Sequence, residues 1–178
     1  MDNSNNCIKE IPFIINEKGK TIKIKKERKD RVVINEKKWI LDENDYDIIN
    51  QLEVLKNGDT NNKKYKLICS EIMKKISGYK NQDIKKSKYD AESFIDEKFI
   101  KEMLLKCELK CYYCREPVMV LYKSVREPKQ WSVERINNDY GHNKNNVTIA
   151  CLSCNLSRRT MYHERYRFTK QLIIEKKL

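Results

Sequence analysis

Hydrophobic and polar residues alternate in the first part of the chain, which is the pattern of β-strands. Residues 12–15 and 21–24 are strand candidates, and residues 17–19 between them have the composition of a hairpin turn. Residues 32–34 add a third short apolar run. Seven basic and two acidic residues lie between positions 20 and 31. That segment is either a ribbon that faces phosphates or a solvated edge strand guarded by lysines.

From Asp42 onward the apolar residues recur at helical spacing, so the pattern predicts helices. The first helix stops at Gly58, and its apolar face comprises Ile48, Ile49, Leu52 and Leu55. The second ends at Gly78, and its apolar face comprises Tyr65, Ile68, Ile72 and Ile76. The third begins at Asp96 and buries Phe99, Ile100, Met103, Leu104 and Cys107. Residues 79–91 are polar and are predicted to be weakly helical at best.

The C-terminal half combines short strands with a final helix. The strand candidates are residues 118–122, 130–136 and 147–149. A helix is predicted from Asn155 through residue 168. The whole pattern predicts an α+β fold that is mainly helical, with an N-terminal β-hairpin region. We divide it into a β-hairpin and helical extension at residues 1–95 and a second domain at residues 96–178.

Composition favours an acidic polymer as the partner. The 178 residues include 38 Lys and Arg against 26 Asp and Glu, so the formal net charge is +12. Nucleic acid is the expected partner, although a merely soluble basic protein has the same composition. No apolar run approaches the roughly 20 residues that cross a bilayer. The first residues also lack the basic-then-apolar pattern of a secretory signal, so we expect an intracellular protein of cytoplasm or nucleus that is not secreted.

The seven cysteines indicate a metal site. In a reducing compartment, paired Cys-x-x-Cys motifs point to metal ligation rather than to disulfides. Two such motifs are present, and together they supply the four tetrahedral ligands of a structural zinc ion; they are Cys111, Cys114, Cys151 and Cys154. Cys7, Cys69 and Cys107 are left as ordinary thiols.

The order of motifs in the second half resembles the HNH endonucleases. A Cys-x-x-Cys pair is followed by a strand that ends in an acid, a Gly-His loop with an Asn, and Cys-x-x-Cys-Asn. More narrowly, this looks like the zinc-containing ββα-metal branch that includes endonucleases of the endonuclease VII type. The run QWSVERINNDYGHNKNNVTIACLSCNLSRR is similar to variants common in large DNA viruses, which implies a viral protein in the host cell or virion. The resemblance covers roughly residues 107–168.

The resemblance implies roles for individual residues. Glu134 and Asn155 take the positions that bind the catalytic Mg²⁺ or Mn²⁺ ion, and Asn146 braces the connecting loop. Arg135 stands where the family usually has the His that activates water, and an arginine cannot take a proton at working pH. It can instead clamp the phosphate or stabilise charge in the transition state. His142 is the first candidate for a replacement base, and an equally open alternative is a loop histidine bonded to the backbone.

Two functions follow as hypotheses. The first is a metal-dependent endonuclease that hydrolyses DNA phosphodiester bonds, with a homodimer expected if it makes paired cuts. The alternative is a catalytically inactive, zinc-braced DNA-binding module of the same fold, which Arg135 supports. Arg126, Arg158 and Arg159 flank the cysteine motifs and are predicted to contact phosphates, with a solvated helix face as the alternative for Arg159.

Overall fold

The computed structural model describes residues 13–15, 21–23 and 41–172. Strands β1 (Phe13–Ile15) and β2 (Thr21–Lys23) pair antiparallel, with Phe13 opposite Lys23. The strand pairing of the predicted N-terminal β-hairpin is therefore confirmed, while its predicted turn at residues 17–19 lies outside the described residues. The third strand predicted at residues 32–34 and most of the basic segment at 20–31 lie outside the described residues.

Helix α1 (Ile48–Asn57) follows a short 3-10 helix at Glu43–Tyr46. The carboxylate of Asp47 caps the start of α1, and Gly58 ends it with a left-handed backbone at φ 62°. The predicted stop at Gly58 is thus confirmed. Ile49 does not face the core as predicted, because it is 67% exposed. The buried polar residue of this helix is Gln51, whose amide bonds the backbone of Val120 and Leu121 at 2.9 to 3.1 Å.

Helix α2 (Lys63–Lys85) runs through Gly78 rather than ending there. The prediction that residues 79–91 are weakly helical is wrong for the first part of that segment. A glycine inside a helix costs only about 1 kcal/mol relative to alanine, and tertiary contacts made beyond it offset that cost. Those contacts come from Tyr79 and Asp83, which meet the C-terminal strand and loop described below.

Helix α3 (Glu97–Lys106) has the predicted start, since the carboxylate of Asp96 accepts a hydrogen bond from the N–H of Phe99 at 2.8 Å. Ile100 and Leu104 are completely buried. Cys107 is the residue that ends the helix, and it packs against the core while remaining partly exposed.

Strands β3 (Trp131–Arg135) and β4 (Val147–Cys151) form an antiparallel pair with Glu134 opposite Thr148. Helix α4 (Leu152–Arg158) follows β4 directly, so the order is strand, strand, helix. No regular strand forms at residues 118–122, which make only a single bridge from Met119 to Gln130. The final helix is also not continuous, because it breaks at Arg159 (φ 52°, ψ −114°) before α5 (His163–Gln171) begins.

A single hydrophobic core spans the described residues from 41 to 172. It combines side chains of α1, α2 and α3 with those of β3 and β4, including Ile72, Ile100 and Val133. The boundary predicted between residues 95 and 96 falls inside this core, so α2 and the strand pair form one unit. The fold is α+β and mainly helical, as predicted. Among the described helices, none is both long enough and apolar enough to cross a membrane.

Candidate metal centre and the site beside it

The two Cys-x-x-Cys motifs converge on one point. One pair, Cys111 and Cys114, lies in the turn after α3; Cys151 ends β4 and Cys154 lies in the first turn of α4. All four sulfur atoms lie within 4.8 Å of one another, and the Sγ atoms of Cys114 and Cys151 are 3.9 Å apart. Tetrahedral zinc with Zn–S bonds of about 2.3 Å needs sulfurs about 3.8 Å apart. The cluster therefore fits, and can bind, a metal such as zinc.

Backbone hydrogen bonds hold the cysteine turns in this arrangement. The N–H of Cys154 donates to the sulfur of Cys151 at 3.3 Å, and the N–H of Tyr112 donates to the carbonyl of Ile149 at 2.9 Å. The second bond joins the first cysteine turn to β4. Hydrogen bonds from the thiols of Cys151 and Cys154 lower the pKa of Cys111, which favours a thiolate in the cluster.

The remaining described cysteines are separate from the cluster. Burial raises the pKa of the thiols of both Cys69 and Cys107, as expected for ordinary thiols. Cys7 lies outside the described residues.

Glu134, on β3, and Asn155, on α4, both lie where this strand and this helix pack together. The amide nitrogen of Asn155 donates to Ser132 Oγ at 3.2 Å and to the carbonyl of Val133 at 3.3 Å. One turn later on α4, Arg158 reaches the carboxylate of Glu134. With its bond to the carbonyl of Arg135, the helix contacts four consecutive residues of the strand, and both predicted metal ligands belong to this interface.

Arg158 is a structural residue rather than a phosphate contact. It is 2% exposed, and its Nε donates to Glu134 Oε1 at 2.5 Å. Its other guanidinium nitrogens bond the carbonyls of Met161 and Arg135, each at 2.7 Å, and Asn138 Oδ1 at 3.2 Å. Burial leaves no surface for a phosphate, so the predicted nucleic-acid contact at Arg158 is wrong. Sequence could not show this, because a buried and an exposed arginine at the end of a helix look alike.

Each predicted ligand keeps an oxygen without a partner among the described residues. Both contacts from Arg158 go to Oε1 of Glu134, which leaves Oε2. Asn155 uses only its nitrogen, which leaves Oδ1. Burial raises the pKa of Glu134, while the charges of Arg158 and Arg135 lower it. A carboxylate oxygen and an amide oxygen are ligands that Mg²⁺ accepts, with water filling its other positions.

The loop between β3 and β4 is closed by Asn146. Its amide oxygen accepts from the N–H of Asn137 at 2.9 Å, and its nitrogen donates to the carbonyls of Asn137 and Gly141 at 2.9 and 3.0 Å. The side chain of Asn146 is buried, and these hydrogen bonds join the start of the loop to its end. Arg135, at the end of β3, points along the same loop and donates to the carbonyl of Tyr140 at 3.3 Å.

His142 lies in this loop and contacts α2. The backbone N–H of His142 donates to Asp83 Oδ2 at 2.6 Å, and its Nδ1 lies 2.9 Å from Asp83 Oδ1. Its ring stacks on Tyr79 with centroids 4.5 Å apart. Burial lowers the pKa of His142, and the Asp83 carboxylate partly offsets that effect. Sequence reasoning missed both partners. The available signal was the helical spacing of four residues between Tyr79 and Asp83, inside a segment that was predicted to be weakly helical at best.

The two other predicted phosphate contacts are exposed. Arg126 lies in the loop before β3 with a left-handed backbone at φ 58°. Arg159 follows Arg158 directly, and its carbonyl accepts a hydrogen bond from Asn138 at 3.0 Å while its side chain stays in solvent. Both guanidinium groups are thus available to a phosphate.

Comparisons with protein-family models, with curated proteins and with solved structures find no match to this chain. Any functional assignment therefore depends on the residues and geometry described above.

Proposed function

We propose that the protein is a metal-dependent endonuclease of the HNH type that hydrolyses phosphodiester bonds in DNA. One observation carries the proposal: Glu134 and Asn155 lie at the same strand-helix interface, beside four cysteines that fit a zinc ion, and each has an oxygen that no described residue contacts. A structural zinc at the cysteines would fix the start of α4 against the end of β4. This restraint matters because the ligands of a catalytic metal ion must be held near the geometry that catalysis requires.

The residues around this interface would have different roles in metal binding, phosphate binding and proton transfer. Glu134 and Asn155 would hold a Mg²⁺ or Mn²⁺ ion, which supplies stabilisation of the negative charge that develops on the phosphate. Arg158 orients the Glu134 carboxylate through Oε1. Arg135 would bind a phosphate oxygen, and His142 would accept a proton from water. Arg126 and Arg159 would bind neighbouring phosphates, in keeping with the net charge of +12.

A plasmid-nicking assay with Mg²⁺ or Mn²⁺ tests the proposal. We expect wild-type protein to convert supercoiled plasmid to the open circle, and Asn155→Ala to lower the rate by about 100-fold or more. Asn145→Ala is the matched control, because Asn145 is exposed in the loop before β4 and should retain wild-type activity. Absence of nicking by the wild-type protein would refute the proposal, as would equal rates for wild type and Asn155→Ala.

A second candidate is an inactive, zinc-braced DNA-binding module of the same fold. The contact of Arg158 with Glu134 favours it, because a paired carboxylate is a weaker cation ligand than a free one. Calorimetry separates the two functions. An endonuclease should bind Mg²⁺ or Mn²⁺ in the zinc-loaded protein, and Asn155→Ala should abolish that heat. The inactive module should instead bind DNA with a strong salt dependence and no dependence on Mg²⁺.

A further inference from the structure

Asp83 is buried, and among the described residues its carboxylate makes hydrogen bonds only with His142. It has no exposed surface, and its two oxygens accept from the backbone N–H and face the ring Nδ1 of that histidine. An ionised carboxylate is costly to bury unless hydrogen bonds compensate for lost water. Here the acid lies on α2, is buried in the core and makes its hydrogen bonds with a single loop residue.

The His142 ring is held from several sides. Tyr79, one turn before Asp83 on α2, stacks on its face. The carbonyl of His142 accepts from the N–H of Ile95 at 3.1 Å. Gly141 lets the loop approach α2 this closely, since a Cβ there would lie 2.8 Å from Asp83 Oδ2. The position of the ring is therefore determined by packing and hydrogen bonds together.

The hydrogen bond to Asp83 selects one tautomer of the ring. A carboxylate only accepts, so Nδ1 must carry the proton and donate it to Asp83 Oδ1. In the neutral ring the lone pair then lies on Nε2. No described residue hydrogen-bonds Nε2, and the side chain keeps 5% of its surface exposed.

We propose that Asp83 is a positioning residue that holds His142 with its proton on Nδ1, so that Nε2 accepts a proton from the attacking water. This inference rests on the endonuclease function proposed above. As the water oxygen forms a bond to phosphorus, its O–H bond breaks and the proton moves to Nε2. The bond from phosphorus to the leaving oxygen breaks, and solvent protonates that oxygen. Asp83 thereby provides the orientation that an Asp gives to the base of a catalytic triad.

The charged and titratable groups around His142 determine its pH behaviour. Asp83 and Tyr79 face it from α2, Lys86 lies just after α2, and Arg135 lies at the end of β3. Asp83 favours the protonated ring, whereas burial and both cations favour the neutral ring. The nicking rate should therefore rise with pH as His142 loses its proton. Removing the Asp83 charge should shift this rise to lower pH, even though the maximal rate falls.

The tautomer is measured first, on protein labelled with ¹⁵N-histidine. The chain has only two histidines, and a His163→Gln variant assigns the signals. We expect wild-type His142 to be protonated at Nδ1 and unprotonated at Nε2 at mildly alkaline pH. In Asp83→Asn the new amide group donates to Nδ1, so the proton should move to Nε2. A wild-type ring protonated at Nε2, or a ring unchanged in Asp83→Asn, would overturn the inference.

Nicking kinetics form the second arm. Asp83→Asn should lower the maximal rate on the order of 10²- to 10⁴-fold without changing DNA affinity, and should move the acid limb to lower pH. Asp45→Asn is the matched control, because Asp45 is also a buried aspartate, paired with Lys64 away from this loop. If the two variants nick equally fast, Asp83 has no catalytic role and the endonuclease proposal still stands.

A double variant separates positioning from simple loss of folding. In a His142→Asn background, adding Asp83→Asn should lower the rate no further, because Asp83 acts only through the ring. A further large loss would show that Asp83 acts by another route and would overturn the inference. If wild-type protein fails to nick with either cation, the proposed function and the proton transfer both fall. The tautomer measurement then still decides whether Asp83 holds the ring.

Discussion

Gly141 is the residue at which the loop after β3 meets the end of α2. A Cβ built at this position would lie 2.3 Å from the carbonyl oxygen of Lys88 and 2.8 Å from Asp83 Oδ2. Contacts this short require the backbone to move, since the carbonyl cannot turn away as the end of a flexible side chain does. The two hydrogen bonds from His142 to Asp83 depend on the same approach.

We predict that Gly141→Ala destabilises the protein by about 1–3 kcal/mol, the usual cost of overpacking a tight site. Gly78→Ala is the matched control. Gly78 lies inside α2, a Cβ there meets nothing within 4 Å, and alanine should add about 0.5–1 kcal/mol of stability. Urea unfolding measures both changes. Equal stability of the two variants would contradict the tight approach at Gly141.

For single residues, the candidate metal ligands were predictable from the sequence, but the burial of a given side chain was not. The four cysteines were identified by their spacing, because two Cys-x-x-Cys turns can together supply the four ligands of a tetrahedral zinc ion. Arg158 and Arg159 are adjacent and chemically identical, yet one is 2% exposed and the other lies in solvent. The difference arises from the turn of α4 toward Glu134, which no local pattern encodes.

Among the elements, β3 has hydrogen-bond partners along both of its edges. Its outer edge, away from β4, presents backbone groups that would otherwise lack partners. Lys75 donates to the carbonyl of Trp131, and Tyr79 Oη accepts from the N–H of Val133 at 2.9 Å. Asn155 and Arg158 donate to the carbonyls of Val133 and Arg135. Side chains of two helices therefore replace a neighbouring strand, and they hold Glu134 in place.

Tyr79→Phe tests the contribution of α2 to this edge. Burial raises the pKa of Tyr79 to about 12, so its hydroxyl is neutral at ordinary pH. Removing it leaves the N–H of Val133 without an acceptor, which should cost about 1–3 kcal/mol. Tyr89→Phe is the control, since its ring packs on Phe94 and its hydroxyl has no described partner. Amide hydrogen exchange at Val133 should accelerate only in Tyr79→Phe; unchanged protection would refute the contact.

The elements themselves were largely predictable where capping residues and periodicity agreed. Asp96 and Gly58 are correct helix limits for that reason. The predicted end of α2 was wrong. Gly78 suggests a helix stop, but the contacts that Tyr79 and Asp83 make with distant residues stabilise the helix beyond it. The break at Arg159 was missed for the opposite reason, since the helix ends there although the sequence contains no glycine or proline.

For the molecule as a whole, the cysteine cluster and the single core are joined. Cys111, Cys151 and Cys154 are members of the same hydrophobic cluster as Ile72 and Leu104. A domain boundary near residue 95 was predicted, and both Cys-x-x-Cys motifs and the family resemblance lie after it. The contacts of α2 show instead that the N-terminal helices complete the core on which the candidate site is built.

We predict that removing zinc unfolds α2 and the strand pair together. Cys154→Ser should abolish binding of one zinc ion per chain and lower the melting temperature by about 10 °C or more, a loss of several kcal/mol for a chain of this size. Cys69→Ser should leave zinc content and melting unchanged, because Cys69 lies on α2 outside the cluster. Metal analysis and calorimetry measure both. A Cys154→Ser protein that keeps its zinc would contradict the site.

The spacing of the contacts made by α2 has a consequence for how this sequence tolerates insertions and deletions. Lys75, Tyr79 and Asp83 are separated by four residues each, so they lie along one stripe of the helix and meet β3 and its loop in turn. Each inserted residue rotates everything beyond it by about 100°. One insertion between residues 75 and 79 would turn both Tyr79 and Asp83 away at once. Length in this helix is therefore constrained even where its exposed side chains are free to change.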